Sequence, residues 1–479
     1  MKVEPPWIGL FGVCGRGLRG LGRGFCPRSS MTFLFTSESV VGKHRRGRER
    51  KAMGYVLQRS LFPYEEFVES SGDDNTRLVA TLAALPDESL MAWLRAQRAG
   101  RRDDYPLEVL WRCEVAKRVY QIGTYAELIR ELRRNGSLRV VVGIPSIERV
   151  PRDYHFSRFL KLLSAAEQEG LLRGMFDAQV ESLGARLPAM GRHVAVDGTA
   201  VHAYSNEMRR HKSDPDAAWS ARPKRQRRGS QVTEQLAYWY GYEVHLVADC
   251  ATELPLWFEV TPANVSETTR FVPLLEGWAG RHPTLLGRTE AVLADAGYDS
   301  EENCRHVLEQ CEALPIIKMR LTQRKDAICQ ASEGLCTELG TQLCLGGQAM
   351  VYAGRDGDYL KWRCPVACGR LASCPERGRC TTSAYGAVRK VDIRKEPRRH
   401  PGLWRESKKW TRLYRKRTAV ERLNGRLKDF LQLDGLTVRG IAKVRAHVTL
   451  SLICLLAGAQ AMVDRERLED IRRTVRMVA

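Results

Sequence analysis

Between Arg192 and Arg320 the chain carries five short apolar runs with the texture of buried strands: RHVAVDGTAV, WYGYEVHLVADC, LPLWFEVTPA, TEAVLADAGY and LPIIKMR. Runs this short, bounded by turn residues, suit strands better than helices. Three of these strands are read as ending at an aspartate: Asp197 after VAV, Asp249 after LVA and Asp295 after VLA. Alone, such an aspartate is ordinarily a turn residue. The second and third runs are joined by a short turn around ATE. SETTRFVPLLEGWA reads as a helix between the third and fourth, and SEENCRHVLEQCEA as a helix between the fourth and fifth.

Helical periodicity returns in RESKKWTRLYRKRTAVERLNGRLKDFLQL and in AKVRAHVTLSLICLLAGAQAMV. Three adjacent strands, a helix, a strand, a helix, a strand and a later helix is the order of a ribonuclease H-like α/β fold. Its sheet is mixed, and acids at strand ends meet a carboxylate from a helix. The first of the two helical stretches supplies that carboxylate in Tyr414-x2-Arg417-x3-Glu421-x6-Lys428. At 100° per residue these four side chains fall within an arc of roughly 60°. One face then offers a phenol, a guanidinium, a carboxylate and an ammonium group. The carboxylate can hold a metal while the others grip phosphates. Solvation alone does not require such regular spacing.

The charge points the same way. Lys and Arg number 77 and Asp and Glu 56 in 479 residues, a formal net charge of +21. That excess favours a polyanionic partner. A membrane surface is disfavoured, because the longest apolar stretch, Val448 to Val463, is 16 residues and contains Ser, Thr and Gln. It suits a buried core helix. The opening residues, rich in Arg and Gly with an early Glu4, do not form a secretory signal, and a cytoplasmic location follows by default.

Tyr-x2-Arg-x3-Glu-x6-Lys is the signature of a large group of bacterial insertion-sequence transposases with an Asp-Asp-Glu triad, and the resemblance extends further. VAVDGT resembles the group's first aspartate box, and LADAGYDS its second, with Asp295-x-Gly297-Tyr298 matching position by position. SDPDAAW and the segment from YPLEVLWRCEVAKRVY to VPRDYHFSRFLKLL are also similar to the group, so the likeness runs from about Gly54 to Val463. It implies Asp197, Asp295 and Glu421 as the catalytic triad and as ligands of Mg²⁺, or Mn²⁺ in its place. It implies Tyr414, Arg417 and Lys428 as contacts to the DNA backbone. The partners implied are DNA, as element terminal inverted repeats and target, and a second copy of the chain in a synaptic dimer. Asp249 and Asp299 compete for the second position. Asp249 lacks the following Gly-Tyr, and Asp299 reads as a cap for the helix after it.

On this reading the chain divides into a disordered basic extension at 1–52, a helical domain at 53–190 that serves either for packing or as a reader of DNA ends, and the first part of the catalytic core at 191–320. A Cys-rich insertion at 321–400, the second part of the core with the Glu helix at 401–465, and a tail at 466–479 follow. A T-x-x-E capping box at Thr124 and Glu127 starts one helix, and Arg130, Arg133, Arg134, Arg152, Arg158 and Lys161 give the helical domain a basic surface. The basic runs at 222–228 and 394–400 read as loops with non-specific phosphate contact.

Seven of the fourteen cysteines lie between Cys329 and Cys380. In a chain of this size without an export signal, metal ligation or free thiols outrank disulfides. Cys344, Cys364, Cys374 and Cys380 are the quartet for a structural Zn²⁺, although their spacing is wider than Cys-x2-Cys; reduced thiols are the alternative. Two other functions remain open from sequence: a silent or repurposed transposase-derived DNA-binding protein, and a ribonuclease H-like nuclease that cuts without joining.

Overall fold

The computed structural model describes residues 73–97, 105–205, 213–228, 231–321 and 324–473. The extension read over 1–52 lies outside the described residues, as do the first residues of the helical domain and residues 474–479.

Seven helices come first: α1 (Asp73–Ala83), α2 (Glu88–Gln97), α3 (Leu107–Val119), α4 (Tyr125–Arg134), α5 (Gly136–Val142), α6 (Asp153–Gln168) and α7 (Leu171–Arg186). α4 starts on the expected capping box. Thr124 Oγ1 accepts from the Glu127 amide, and the Glu127 carboxylate accepts from the Thr124 amide. The six basic side chains singled out on these helices are all exposed.

The sheet follows. β1 (His193–His202), β2 (Ala218–Arg228), β3 (Gln231–Asp249) and β4 (Pro255–Pro262) lead to α8 (Glu267–Arg281) and the short α9 (Pro283–Leu286). Then come β5 (Ala291–Ala294), α10 (Glu301–Glu309) and β6 (Leu314–Ile317). β3 pairs antiparallel with both β1 and β4, while β1–β5 and β5–β6 are parallel. The main order is therefore β4-β3-β1-β5-β6, the mixed arrangement of a ribonuclease H-like core. β2 lies along the N-terminal half of β3, beyond the end of β1.

Two expectations change here. The run at 222–228 is strand rather than loop, because Arg222 to Arg228 pair with Ala237 to Gln231. Asp197 stands in the middle of β1, not at its end: pairing with β3 continues to His202. The local apolar pattern stops at Asp197, but the ladder does not.

Past β6 the Cys-rich stretch forms a hairpin of β7 (Ile328–Ala331) and β8 (Gly334–Thr337). A three-stranded sheet of β9 (Val351–Asp356), β10 (Tyr359–Arg363) and β11 (Val388–Asp392) follows, with the one-turn helix α11 (Arg377–Cys380) between the last two strands. Met350, Leu360, Trp362, Val391 and Ile393 form its small core. The run at 394–400 ties this region down: Arg394 pairs with Asp392 and Asp358, Lys395 with Glu333, and Arg398 with Asp299 at 2.8 Å.

The chain returns to the main sheet through α12 (Lys408–Tyr414), a 3₁₀ turn at Arg415–Arg417, α13 (Thr418–Phe430) and α14 (Ile441–Asp464). Among the described residues α14 is the helix long and apolar enough to cross a membrane, yet it is almost wholly buried. It packs on α1, α6 and α7 and on β4, joining helical domain to sheet. The tail read from 466 is not wholly loose: a 3₁₀ stretch at Leu468–Arg473 buries Ile471.

Gly241 is the pivot of the long strand, facing His202 of β1 and Ala218 of β2 at once. A side chain there would run into the carbonyl oxygen of Val201. Gly241→Ala should therefore cost about 2–3 kcal/mol through forced backbone movement, read as a lowered midpoint in urea unfolding.

Candidate active site

The parallel register of β1 and β5 sets Ala195 beside Leu293. Two residues further along each chain stand Asp197 and Asp295, so matched register brings the two acids together. Just past β5 the chain turns at once: Asp295 Oδ1 accepts the Gly297 amide at 2.7 Å. Asp197 is held from the other side by α13, where Asn424 Nδ2 donates to its Oδ2 at 3.1 Å.

Glu421 lies in the first turn of α13, and Arg417 Nη2 donates to its Oε1 at 2.5 Å. The guanidinium also lies 5.7 Å from the centre of the Tyr414 ring, which stacks on Trp410 at 4.9 Å. The continuous helix face read from the sequence is interrupted by the 3₁₀ turn, which winds about 120° per residue instead of 100°. Tyr414, Arg417 and Glu421 still form one contact chain. Lys428 is further off: its Nζ donates to the Ala200 carbonyl at 2.6 Å and faces Asp434 at 3.5 Å.

The competing aspartates have structural partners. Asp249 accepts the amides of Gly191, Ala251 and Thr252 and holds the β3–β4 turn. Asp299 does not cap α10. Ser300 does so, accepting the Asn303 amide at 3.0 Å, while Asp299 takes the Arg320 amide and the Arg398 guanidinium.

Sequence reasoning missed a second layer of charge. Arg222 of β2 forms ion pairs with both Glu243 of β3 and Glu267 at the start of α8. Gly198, next to Asp197, makes room for them: a Cβ there would sit 2.5 Å from Glu243 Oε1 and 3.1 Å from Glu267 Oε1. A charged residue within the apolar strand YEVHLVA was the available signal for Glu243. Asn424, three residues after Glu421, was available from helical spacing.

Burial, with the nearby charges of Asp295 and Glu267 added to it against the opposing pull of Arg417 and Arg222, raises the Asp197 carboxyl to about 7. Burial likewise lifts Glu243 to about 8, with Glu267 and Asp197 adding to the rise against Arg222. The basicity of Arg417 is raised, against its own burial, by Tyr414, Glu421 and Asp197. Arg417 thus supplies between Glu421 and Asp197 part of the neutralisation that a cation would give.

Among the described residues no three His, Cys, Asp or Glu side chains are so arranged that they could hold a metal ion as they stand. The donor chemistry at Asp197, Asp295 and Glu421 nonetheless fits Mg²⁺ or Mn²⁺, since all are hard carboxylate oxygens. The elevated Asp197 carboxyl is short of counter-charge, and Glu421 is engaged with a side chain that a cation could replace.

A mixed sheet with paired aspartates on adjacent parallel strands, backed by a glutamate-bearing helix, defines a ribonuclease H-like protein with an acidic centre. Residues 188–457 match the family described as Transposase DDE domain, and residues 66–162 match Transposase domain (DUF772). The first match spans more than half of the chain, and the chain belongs to the DDE transposase family. A solved structure, the cryo-EM piggyBac transposase synaptic complex with hairpin DNA, is similar at 10% identity and a TM-score of 0.37. It covers 84% of this chain and 79% of that one, and at that score the likeness carries no argument. No curated protein matches the sequence.

An aspartate raised to about 7 makes the metal-free fold prefer the protonated form. The cost of ionisation is absent below the ordinary carboxylate range, grows through neutral pH and is complete above it, at about 1.4 kcal/mol per unit. Asp197→Asn should therefore melt higher than the unsubstituted protein at about pH 8 without divalent metal. The difference should vanish near pH 4, and Mg²⁺ should narrow it at pH 8 by stabilising only the protein with Asp197.

Proposed function

We propose that this chain is an active transposase, cleaving DNA at the ends of its own element and transferring the strand ends into target DNA. The observation that carries the proposal is Asp197 near both Asp295 and Arg417, with Arg417 in turn paired to Glu421, in a chain of the DDE family. Asp197, Asp295 and Glu421 would hold the divalent cations, Mg²⁺ or Mn²⁺. When bound, such ions activate an attacking oxygen and stabilise a leaving one at a phosphate.

The chain's own groups do the rest. Asn424 orients Asp197 by its amide hydrogen bond, and the Gly297 amide fixes Asp295. With a cation held at Glu421, Arg417 would be free to pair with a DNA phosphate, and Tyr414, stacked on Trp410, would offer its hydroxyl beside it. Lys428 docks α13 on the end of β1 through Ala200. An ammonium has three donors, and the DNA contact assigned to Lys428 would use the third. Arrangement of two element ends for joined chemistry calls for a dimer in the synaptic complex. The helical domain, with Arg130, Arg133, Arg134, Arg152, Arg158 and Lys161 exposed, is the surface for the terminal inverted repeats.

The test is incubation of the protein with DNA bearing the gene's own flanking ends and Mg²⁺ or Mn²⁺. Nicks at the element ends and joined products are expected, with Glu421→Gln slower by at least about a thousandfold while DNA binding is retained. Binding with no cutting by the unsubstituted protein would mark a silent, DNA-binding relative. Cutting without joined products would mark a nuclease.

A further inference from the structure

The Cys-rich region holds a stretch that lacks an apolar core. From Val366 to Lys390 not one residue is buried, and its regular structure is limited to the single turn α11 and the first residues of β11. Such a segment buries too little apolar surface to offset the entropy of ordering it. Small elements of this kind are usually held by a disulfide or a metal. The cysteines here are free thiols.

Four of those thiols face one space, set wider apart than ligands of a bound ion. Cys344, Cys364, Cys374 and Cys380 line one small cavity of about 30 Å³, together with Glu376, Arg377 and the backbone around Gly386. They come from three separate places: a tight turn before β9, the end of β10, and the exposed segment that carries α11. Each is set by local backbone bonds. Cys344 lies in a turn where its amide donates to the Gln348 carbonyl at 3.0 Å and its carbonyl accepts the Gly347 amide at 2.9 Å. Cys364 donates to the Ala387 carbonyl at 2.9 Å, which closes the neck of the segment. Cys374 stands just before α11 and Cys380 is its last residue. The Cys380 thiol is raised above its ordinary value by its partial desolvation and then by Cys344, Cys364 and Cys374, which are near enough to oppose its charge. Cys368 lies in the same segment, yet it does not line the cavity.

We propose that Cys344, Cys364, Cys374 and Cys380 form a structural zinc site that holds the segment between β10 and β11 in place. Four thiolates are the preferred donors of a closed, tetrahedral zinc site, and sulfur ligands select zinc over the hard cations suited to the carboxylate centre. On binding, the four thiols lose their protons to solvent and the sulfurs close in on the ion, drawing Cys374 and Cys380 inward across a segment with no core to resist. Arg377 at the cavity wall offsets part of the net negative charge of a four-thiolate zinc site, and Glu376 on the same wall is paired with Arg379 at 3.6 Å. Zinc here stabilises the fold and takes no part in phosphate chemistry, so the inference stands whether or not the chain cuts DNA.

The test is metal analysis of the full-length protein purified without chelators, followed by exchange of Co²⁺ for the bound metal. About one zinc per chain is expected, and the cobalt form should show the intense near-ultraviolet sulfur-to-cobalt charge-transfer band and visible d–d bands of a tetrahedral thiolate site. Cys374→Ser and Cys380→Ser should each lower zinc occupancy roughly tenfold or more and open 366–390 to limited proteolysis. Cys368→Ser and Asp197→Asn should keep the zinc. Three results overturn the proposal: no zinc in the unsubstituted protein, a disulfide among these cysteines in non-reducing peptide mapping, or zinc that is lost with Cys368 and kept without Cys374. The zinc content and cobalt spectrum of the unsubstituted protein decide the matter even if a variant fails to fold.

Discussion

Carboxylates of Asp197, Glu243, Glu267 and Asp295 gather beside the end of β5, with the Arg222 guanidinium among them and the Arg417–Glu421 pair at the edge. Like charges this close, away from water, repel strongly and favour protonation or a counter-ion. The two arginines answer that differently. Arg222 bridges two acids on neighbouring elements and locks β2, β3 and α8 into one charged layer. Arg417, in the 3₁₀ turn, holds an acid in the first turn of the helix that follows, half exposed at the mouth, where exchange for another cation requires the least rearrangement.

The rest of the architecture keeps this cluster in register. Parallel pairing of β1 with β5 fixes the separation of the two aspartates. Asn424 and Lys428 reach from α13 to Asp197 and Ala200, so the helix that carries Glu421 is fastened to the strand that carries the first acid. Behind it, α14 is buried between the helical domain and the sheet. The insertion is attached by ion pairs, above all Arg398 to Asp299, directly after the second aspartate box.

Much of this was legible in the sequence wherever the signal was local. The strands that carry Asp197 and Asp295 are short apolar runs, Glu421 sits in a regular helical spacing, and the capping box of Thr124 and Glu127 announces its own helix. What escaped depended on pairing between distant residues. RPKRQRR has a proline and five cations and no apolar alternation, so it looks like a loop; it is a strand because β3 extends far enough to receive it. With β2 unseen, the Arg222–Glu243–Glu267 layer could not be read either. The break before α13 was hidden for another reason: RKR has the same helical propensity whether it winds as α or 3₁₀. The cysteine quartet was readable from density and position, but its meeting point needed the folded chain.

The central claim is that the cluster trades its arginine for divalent metal at Glu421. Anomalous diffraction from crystals of the protein grown with Mn²⁺ would test it most directly. The account predicts manganese between Asp197 and Asp295, with the Glu421 carboxylate turned from Arg417 onto the metal. Manganese at Glu243 and Glu267 instead, or Glu421 still paired to Arg417 beside an empty aspartate pair, would contradict it.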